Sequence, residues 1–95
     1  MAVYVDPLMP TTPSKKWPFR ASCHLYADDE EELHRFARRL GLKRSWFQSK
    51  KATGLAHYDL VDTKRRLAVK LGALPQTISE AGTFFMAVRK GHVKG

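Results

Sequence analysis

Apolar and polar residues alternate along three short stretches of the chain, at residues 3–6, 23–28 and 57–60. Successive side chains of a β-strand point to opposite faces of its sheet, so a period of two predicts a strand in each stretch. One face of each strand is mostly apolar and is expected to contribute to a core. The opposite faces carry Tyr4, Asp6, His24, Tyr26, Asp28, His57 and Asp59. Pairing of the strands would gather these polar side chains into one site.

The segment that follows the second strand has the pattern of a helix. Its apolar residues recur at helical spacing and form one stripe, made of Leu33, Phe36, Ala37 and Leu40. We expect Asp28 and Glu31 to form a capping box at its start, and Gly41 to end it in the left-handed conformation. Glu30 and His34 lie one turn apart, so they are expected to pair at the edge of the stripe.

Two further helices are predicted after the third strand. Asp62 stands where it would cap a helix over residues 63–71. A second capping box, Thr77 with Glu80, opens a helix that runs to about residue 90. The buried stripe of this last helix is expected to contain Ile78, Ala81, Phe85 and Val88.

The order β-β-α-β-α-β-α, with a short strand at residues 73–76, predicts an α/β fold. A chain of 95 residues is sized for a single domain, here a small sheet of three to four short strands covered by about three helices. Residues 7–20 contain four prolines and are expected to form an extended loop. Trp17 and Phe19 are expected to fix the far end of this loop to the domain, with contact to a ligand as the alternative. Residues 91–95 are expected to be a flexible basic tail.

Charge adds a second theme, because the net charge of +8 is unevenly placed. Residues 43–70 carry eight basic and two acidic residues. Such a balance favours a polyanionic partner, a nucleotide or a nucleic acid. Lys64, Arg65 and Arg66 are the candidate phosphate contacts. The alternative is a solvated surface that only keeps the protein soluble.

Trp46 and Phe47 lie in the middle of the basic segment and admit two interpretations. They stack on bases while neighbouring cations hold phosphates, or they fill the core beneath a loop. We expect the second, because a domain of this size needs its large side chains inside. Trp46 stays a candidate ligand-binding residue under the first interpretation.

The chain carries no signal for a membrane or for export. No apolar run approaches the length of a bilayer span, and the first residues lack the basic and long apolar segments of a secretory signal. The single cysteine, Cys23, has no partner for an internal disulfide, which suits a reducing cytoplasm. We expect Cys23 to be a small core residue, with a reactive thiol as the alternative.

The carboxylates and imidazoles of the predicted polar faces suit two kinds of chemistry. Oxygen ligands favour Mg²⁺ or Mn²⁺, imidazole adds affinity for Zn²⁺, and such a cation activates water for phosphoester hydrolysis. Alternatively, a His–Asp pair acts as a general base without a metal. The candidate catalytic residues are His24, His57 and Asp59, and the candidate metal ligands are Asp6, Asp28 and Asp59. A third interpretation is structural, in which a buried histidine bonded to an aspartate orders the core.

Several motifs together resemble one protein family. They are Tyr4-Val5-Asp6-Pro7, Trp17, His24-Leu25, Ala27-Asp28, Glu32-Leu33-His34, Ala37, Gly41, His57-Tyr58-Asp59 and Gly72-Ala73. This pattern, spread over residues 2–90, resembles the DUF4031 family of small bacterial and bacteriophage proteins of unknown function. The resemblance implies a bacterial cytoplasm, or a host cytoplasm for a phage protein, and it supplies no catalytic roles.

Two functional hypotheses follow from these observations. In the first, a polar pocket at the strand ends binds a phosphate-containing ligand, with metal-assisted phosphoester hydrolysis as the reaction if the protein is an enzyme. In the second, the protein is a non-enzymatic interaction module that docks on DNA or on a host protein through its basic surface. The sequence has no common zinc-ligand spacing, phosphate-binding glycine loop or nucleophile elbow, which argues against the familiar zinc hydrolases, kinases and serine esterases.

Overall fold

A seven-residue strand organises the sheet. A computed structural model describes residues 2–91 of the chain. Over these residues the strands are β1 (Val3–Val5), β2 (Met9–Pro10), β3 (Ala21–Ala27), β4 (Tyr58–Leu60) and β5 (Leu74–Pro75). The helices are α1 (Glu30–Arg39), α2 (Lys50–Thr53), α3 (Asp62–Lys70) and α4 (Ile78–Arg89), with a 3-10 turn at Arg44–Trp46. The predicted α/β fold is thus confirmed.

The sheet is mixed, and β3 lies at its centre. Leu25 of β3 pairs with Val5 of β1 on one side and with Tyr58 of β4 on the other, both antiparallel. β2 extends the ladder of β1 along the same side of β3. β5 pairs with β1 in parallel. The first two strands predicted from the sequence, β1 and β3, are therefore antiparallel.

One face of the sheet packs against α1 and α3. The alternate residues of β1, β3 and β4 that were expected to be apolar are buried there against the predicted stripe of α1, with Ala68 of α3 beside them. Cys23 belongs to this core, and burial raises the pKa of its thiol to about 12. The Cys23 thiol is thus protonated near neutral pH and is a poor nucleophile, as a core residue should be.

The other face of the sheet packs against α4 through aromatic side chains. Tyr26 is fully buried between Tyr4 and Phe84, with ring centroids 5.8 and 5.1 Å away. The stripe predicted for α4 is correct for Ala81 and Val88 but wrong for Ile78, which is 65% exposed. Only two residues separate α4 from the two-residue strand β5, which offers little surface to cover the first turn of the helix.

The N-termini of the helices differ in part from expectation. The predicted capping box of Asp28 and Glu31 is wrong: Asp29 precedes α1 and makes no side-chain cap. The Asp28 carboxylate instead accepts hydrogen bonds from the Tyr4 hydroxyl at 2.9 Å and the Ala2 amide at 3.0 Å. Because β1 brings these two donors to the end of β3, they take the carboxylate away from the helix. Asp28 therefore joins strand to strand.

The later helix ends are closer to expectation. Asp62 is the first residue of α3 rather than its cap, and its carboxylate pairs with Arg66 one turn later at 2.8 Å. The capping box of Thr77 and Glu80 is confirmed, with both reciprocal bonds present. Gly41 ends α1 with a φ of +78°, a left-handed conformation that glycine adopts without steric cost. His34 lies 3.4 Å from Glu30, as predicted, and its Nδ1 also contacts the Tyr58 hydroxyl.

The proline-rich segment is more ordered than an extended loop. Thr11 donates its amide to the Arg20 carbonyl, which continues the β2–β3 pairing beyond Ala21, and Ser14 and Trp17 close a turn at the tip. Phe19 does not fix this hairpin to the core, since it is 46% exposed.

Two other expectations concern exposure and the membrane. Trp46 does not fill the core, since it is 52% exposed, whereas its neighbour Phe47 does pack there. Within residues 2–91 no helix combines the length and hydropathy needed to cross a bilayer. Of the predicted flexible tail, residues 92–95 lie outside the described part of the chain.

Candidate functional site

The first half of the site joins the end of β1 to the middle of β3. The buried Asp6 carboxylate accepts two hydrogen bonds from one residue, His24: from its backbone amide at 2.6 Å and from its imidazole Nδ1 at 2.7 Å. An ionised carboxylate only accepts, so the Nδ1 atom carries the proton. The lone pair of neutral His24 is therefore on Nε2, which faces away from Asp6. This nitrogen lies 4.0 Å from Oδ1 of Asp59.

The second half of the site comes from β4 and the residue before it. His57 is buried, and its Nδ1 lies 2.7 Å from the carbonyl oxygen of Leu55. A carbonyl oxygen also only accepts, so Nδ1 of His57 carries the proton and Nε2 is left as the acceptor. Nε2 of His57 lies 3.5 Å from the same Oδ1 atom of Asp59. Both imidazoles thus turn a free nitrogen toward one carboxylate oxygen.

Asp59 is itself held by a neighbour. The side-chain amide of Gln48 donates to Oδ2 of Asp59, and the Gln48 backbone exchanges two hydrogen bonds with His57. Oδ1 is the oxygen left free by this arrangement. The strand register sets the rest, because His24 of β3 stands directly opposite Asp59 of β4.

These three side chains form one cluster, which we call the His₂Asp cluster: His24, His57 and Asp59. Each supplies a donor atom within 4.8 Å of the other two, and the imidazole rings meet edge to face at 4.9 Å. Ligand atoms about 2.1 Å from a shared Zn²⁺ lie roughly 3.4 Å apart in a tetrahedron. The two imidazole nitrogens lie 3.5 and 4.0 Å from Oδ1 of Asp59, and all three atoms lie within 4.8 Å of one another, so the side chains would have to move closer together to hold one ion. With that movement the donor set fits a divalent transition metal.

Neighbouring side chains shift the pKa values of His24 and Asp59 in the cluster. The hydrogen bond to Asp6 raises the pKa of the His24 imidazole, against the effect of burial, and the charges of Asp6 and Asp59 add to the rise. Burial of the Asp59 carboxyl opposes its ionisation. The imidazole of His57, when a proton on its Nε2 lets it donate to Asp59, acts with the amide of Gln48 to outweigh burial and hold the pKa of Asp59 below its usual value.

The candidate metal ligands predicted from sequence occupy different places. Asp59 is in the cluster and Asp6 stands directly behind His24. Within residues 2–91, the Asp28 carboxylate has no hydrogen bond to the cluster. It accepts hydrogen bonds from the Ala2 amide and the Tyr4 hydroxyl instead. His24 and His57, which were expected to be catalytic, each place an unprotonated ring nitrogen near Asp59, where it could bind a metal ion.

The basic residues at the start of α3 are engaged within the protein. Lys64 donates to the Leu40 carbonyl at 2.7 Å, at the C-terminus of α1. Arg65 donates through Nε to the Asp6 carbonyl at 2.9 Å, and Arg66 pairs with Asp62. The assignment of these three side chains to phosphate contacts stays a prediction.

A cavity of about 510 Å³ adjoins the cluster at the end of β4. Asp59 and Gln48 form part of its wall, so Asp59 belongs both to the cluster and to the lining of the cavity. Lys64 and Trp46, both named from sequence, also line it. The β2–β3 hairpin closes it from another side.

Sequence reasoning missed Gln48 and the Leu55 carbonyl, which orient the cluster. A backbone carbonyl leaves no mark in a sequence, and a single glutamine in an irregular segment has no periodicity to identify it. Lys16 was also not assigned to the site, and Trp17 was named only as an alternative ligand contact, although an aromatic residue beside a lysine in a long proline-rich segment is a weak signal for a binding surface.

The raised pKa of His24 predicts how the metal-free protein responds to pH. Protonated His24, between Asp6 and Asp59, contributes stability that is fully present below 6.5, the usual value, and is lost as pH rises through the higher folded pKa. We therefore expect the free energy of unfolding to fall as pH increases above that point. Urea denaturation in the presence of a chelator, between about pH 5 and 8, measures this dependence. Asp6→Asn should flatten it, whereas His34→Gln should leave the part due to His24 in place; an unchanged slope in Asp6→Asn would contradict the assignment.

Comparison with known proteins agrees with the motifs. The family model described as "Protein of unknown function (DUF4031)" matches residues 3–88 of the 95-residue chain. Neither a search of curated proteins nor a search of solved structures found a match. The matched region contains every residue of the His₂Asp cluster and the groups that orient it. The chain therefore belongs to the DUF4031 family.

Proposed function

We propose that the His₂Asp cluster binds a divalent transition metal and that the protein hydrolyses a phosphoester with its help. One observation carries the proposal: three donor atoms converge while the other polar atom of each side chain is already bonded elsewhere. Two imidazole lone pairs and a carboxylate oxygen repel one another unless a cation lies between them. A proton on His24 or a metal ion would supply that cation.

The bonds behind the cluster support a metal rather than a proton alone. Histidines that bind metals usually donate their other ring nitrogen to a carboxylate or a backbone carbonyl, which fixes the tautomer. His24 has the first kind of partner in Asp6, and His57 has the second in Leu55. Mixed imidazole and carboxylate ligands suit Zn²⁺ or Mn²⁺ better than Mg²⁺.

Three protein ligands suit catalysis better than a structural role. Structural zinc sites are closed by four protein ligands, whereas catalytic sites keep a position for water or substrate. Asp59 is about one-third exposed and borders the cavity, so the free position would face solvent rather than core. A bound metal lowers the pKa of water and polarises a phosphoryl oxygen.

The proposed hydrolysis needs positive charge near the phosphate, and the cavity supplies it. Water adds its oxygen to phosphorus, the P–O bond to the ester alcohol breaks, and the alcohol leaves with the second proton of the water. Lys16 and Lys64 line the cavity beside Asp59 and would neutralise the phosphate oxygens. The overall positive charge favours the approach of such an anion.

Metal binding is the first test. We expect the chelator-treated protein to bind one Zn²⁺ or Mn²⁺ per chain in calorimetric titration, with weaker or no binding of Mg²⁺. Co²⁺ should give an absorption spectrum of nitrogen and oxygen ligands, without a thiolate band, because Cys23 lies in the core. The double variant His24→Gln/His57→Gln should lose the site. His34→Gln, which removes a histidine outside the cluster, should keep it.

Activity is the second test, with bis(p-nitrophenyl) phosphate as the probe. We expect turnover that requires the added metal and disappears in the double variant. Metal binding without turnover of any phosphoester in a substrate panel would restrict the proposal to a binding site. Absence of metal binding in the wild-type protein would refute it.

A non-enzymatic docking module is the competing proposal, supported by a separate group of exposed cations. Arg44, Lys50 and Lys51 are exposed and, within residues 2–91, make no ion pair. A docking function predicts salt-dependent binding to DNA that survives in the His24→Gln/His57→Gln variant. Metal-dependent turnover that is lost in the same variant favours the enzyme.

A further inference from the structure

The cavity beside the His₂Asp cluster is walled by aromatic side chains. Trp17 and Phe19 of the β2–β3 hairpin meet edge to face at 5.1 Å on one side. Trp46 stands in the same wall, half exposed, with the Lys43 ammonium 5.7 Å from its ring centroid. Aromatic residues of this size are usually buried in so small a domain. Their position around an open cavity therefore indicates a binding site for a ligand.

One polar atom in this wall has no partner. The indole Nε1 of Trp17 is shielded from solvent and has no hydrogen-bond acceptor within residues 2–91. Buried N–H groups are nearly always paired, so an unpaired one beside a cavity marks a place where a ligand could supply the acceptor. The occupant should therefore carry acceptor atoms on a flat apolar body.

Cations lie on the same cavity. Lys16 comes from the hairpin and Lys64 from α3, so an anionic group is favoured on this surface. Asp59 places the metal centre proposed above at the edge of the cavity. An aromatic body with acceptors, joined to a phosphate, combines these requirements in one molecule.

We infer that this cavity binds the base of one nucleotide, with the phosphate directed toward the His₂Asp cluster. The volume of about 510 Å³ falls within the range of pockets that take one small organic ligand. Trp46 stacks on the base, and an acceptor atom of the base pairs with Nε1 of Trp17 after a small rotation of the indole that opens this atom to the cavity. The direction of the phosphate rests on the proposed function, whereas the recognition of the base does not.

Intrinsic fluorescence tests the inference directly, because the chain has two tryptophans and both line the cavity. Chelator-treated protein is titrated with the four common nucleoside monophosphates and, in parallel, with ribose 5-phosphate and inorganic phosphate. We expect at least one nucleotide to quench the fluorescence, with a Kd roughly 5- to 150-fold below that of ribose 5-phosphate, the range expected for stacking of one base. Equal affinities for the nucleotide and ribose 5-phosphate would overturn the inference.

Variants separate the base from the rest of the site. Trp46→Ala should remove the preference for the nucleotide, and Trp46→Phe should restore most of it. Because both variants lose one fluorophore, their affinities are measured by calorimetry. Met86→Ala, an exposed residue of α4, is the matched surface control. Unchanged nucleotide affinity in Trp46→Ala would contradict the assignment of the wall.

The test is independent of the metal. The variant His24→Gln/His57→Gln should still prefer nucleotides to ribose 5-phosphate, so failure of the metal proposal leaves this result unaffected. If the protein binds metal but shows no preference for nucleotides, the base site is refuted and the metal site is not. A short single-stranded oligonucleotide shows whether the base comes from a nucleic acid or from a free nucleotide. Tighter binding than the mononucleotide identifies a strand end, and equal binding identifies a free nucleotide. Both results support the base site.

Discussion

Asp59→Asn is expected to weaken binding of Zn²⁺ or Mn²⁺ by more than 100-fold. The substitution keeps the size of the side chain but removes the charge of the only carboxylate in the His₂Asp cluster. Loss of a group that merely orients a metal ligand costs about 10- to 100-fold in affinity. Asp6→Asn, which weakens the support of His24, should fall within that lower range. Competition with a chromophoric chelator measures both.

The ranking of these variants is the informative result. His34→Gln should bind metal like the wild-type protein, because its imidazole contacts Tyr58 and Glu30 rather than the cluster. Circular dichroism verifies that each variant is folded. Equal, small effects in Asp59→Asn and His34→Gln would show that the bound metal is held elsewhere.

Leu25→Ala is expected to destabilise the protein by about 2–5 kcal/mol, the cost of truncating a fully buried leucine. Leu25 has no solvent exposure and lies on the one strand that pairs with both β1 and β4. A small domain has only about 5–15 kcal/mol of stability in total. The variant should therefore unfold at a much lower urea concentration, as followed by circular dichroism.

Leu74→Ala is the matched control for that loss. It makes the same chemical change in a strand, but Leu74 is half exposed on the edge strand β5. Its effect should remain within about 0.5 kcal/mol. Similar losses in the two variants would mean that β3 is not the centre of the core.

The fold was largely predictable because its periodicities are short and clear. Alternation in β1, β3 and β4 assigned each polar residue to a face, and antiparallel pairing of these strands then brought Asp6, His24 and Asp59 together. The same reasoning could not separate Asp28 from the group, because alternation gives the face of a side chain and not its position along the strand. Asp28 lies at the end of β3, where Tyr4 and Ala2 take its carboxylate.

The cavity was less predictable, because it depends on the packing of irregular segments. Trp46 was expected to fill the core from its size alone, yet Phe47 packs there instead. A choice between neighbouring aromatic residues is decided by the backbone direction in a 3-10 turn, which no hydrophobic period encodes. The position of Trp17 likewise depends on the closure of the β2–β3 hairpin, a contact between distant residues.

The opposition of His24 and Asp59 across the β3–β4 ladder has a consequence for divergence of the family. A slip of one residue in this ladder would send His24 or Asp59 to the other face of the sheet and dismantle the cluster. Insertions in the connection between α1 and Gln48, by contrast, leave the pairing and the groups that orient the cluster in place and alter the cavity wall that contains Trp46. A family member that lengthens or shortens this connection would therefore change the shape of the cavity without moving the three ligating atoms.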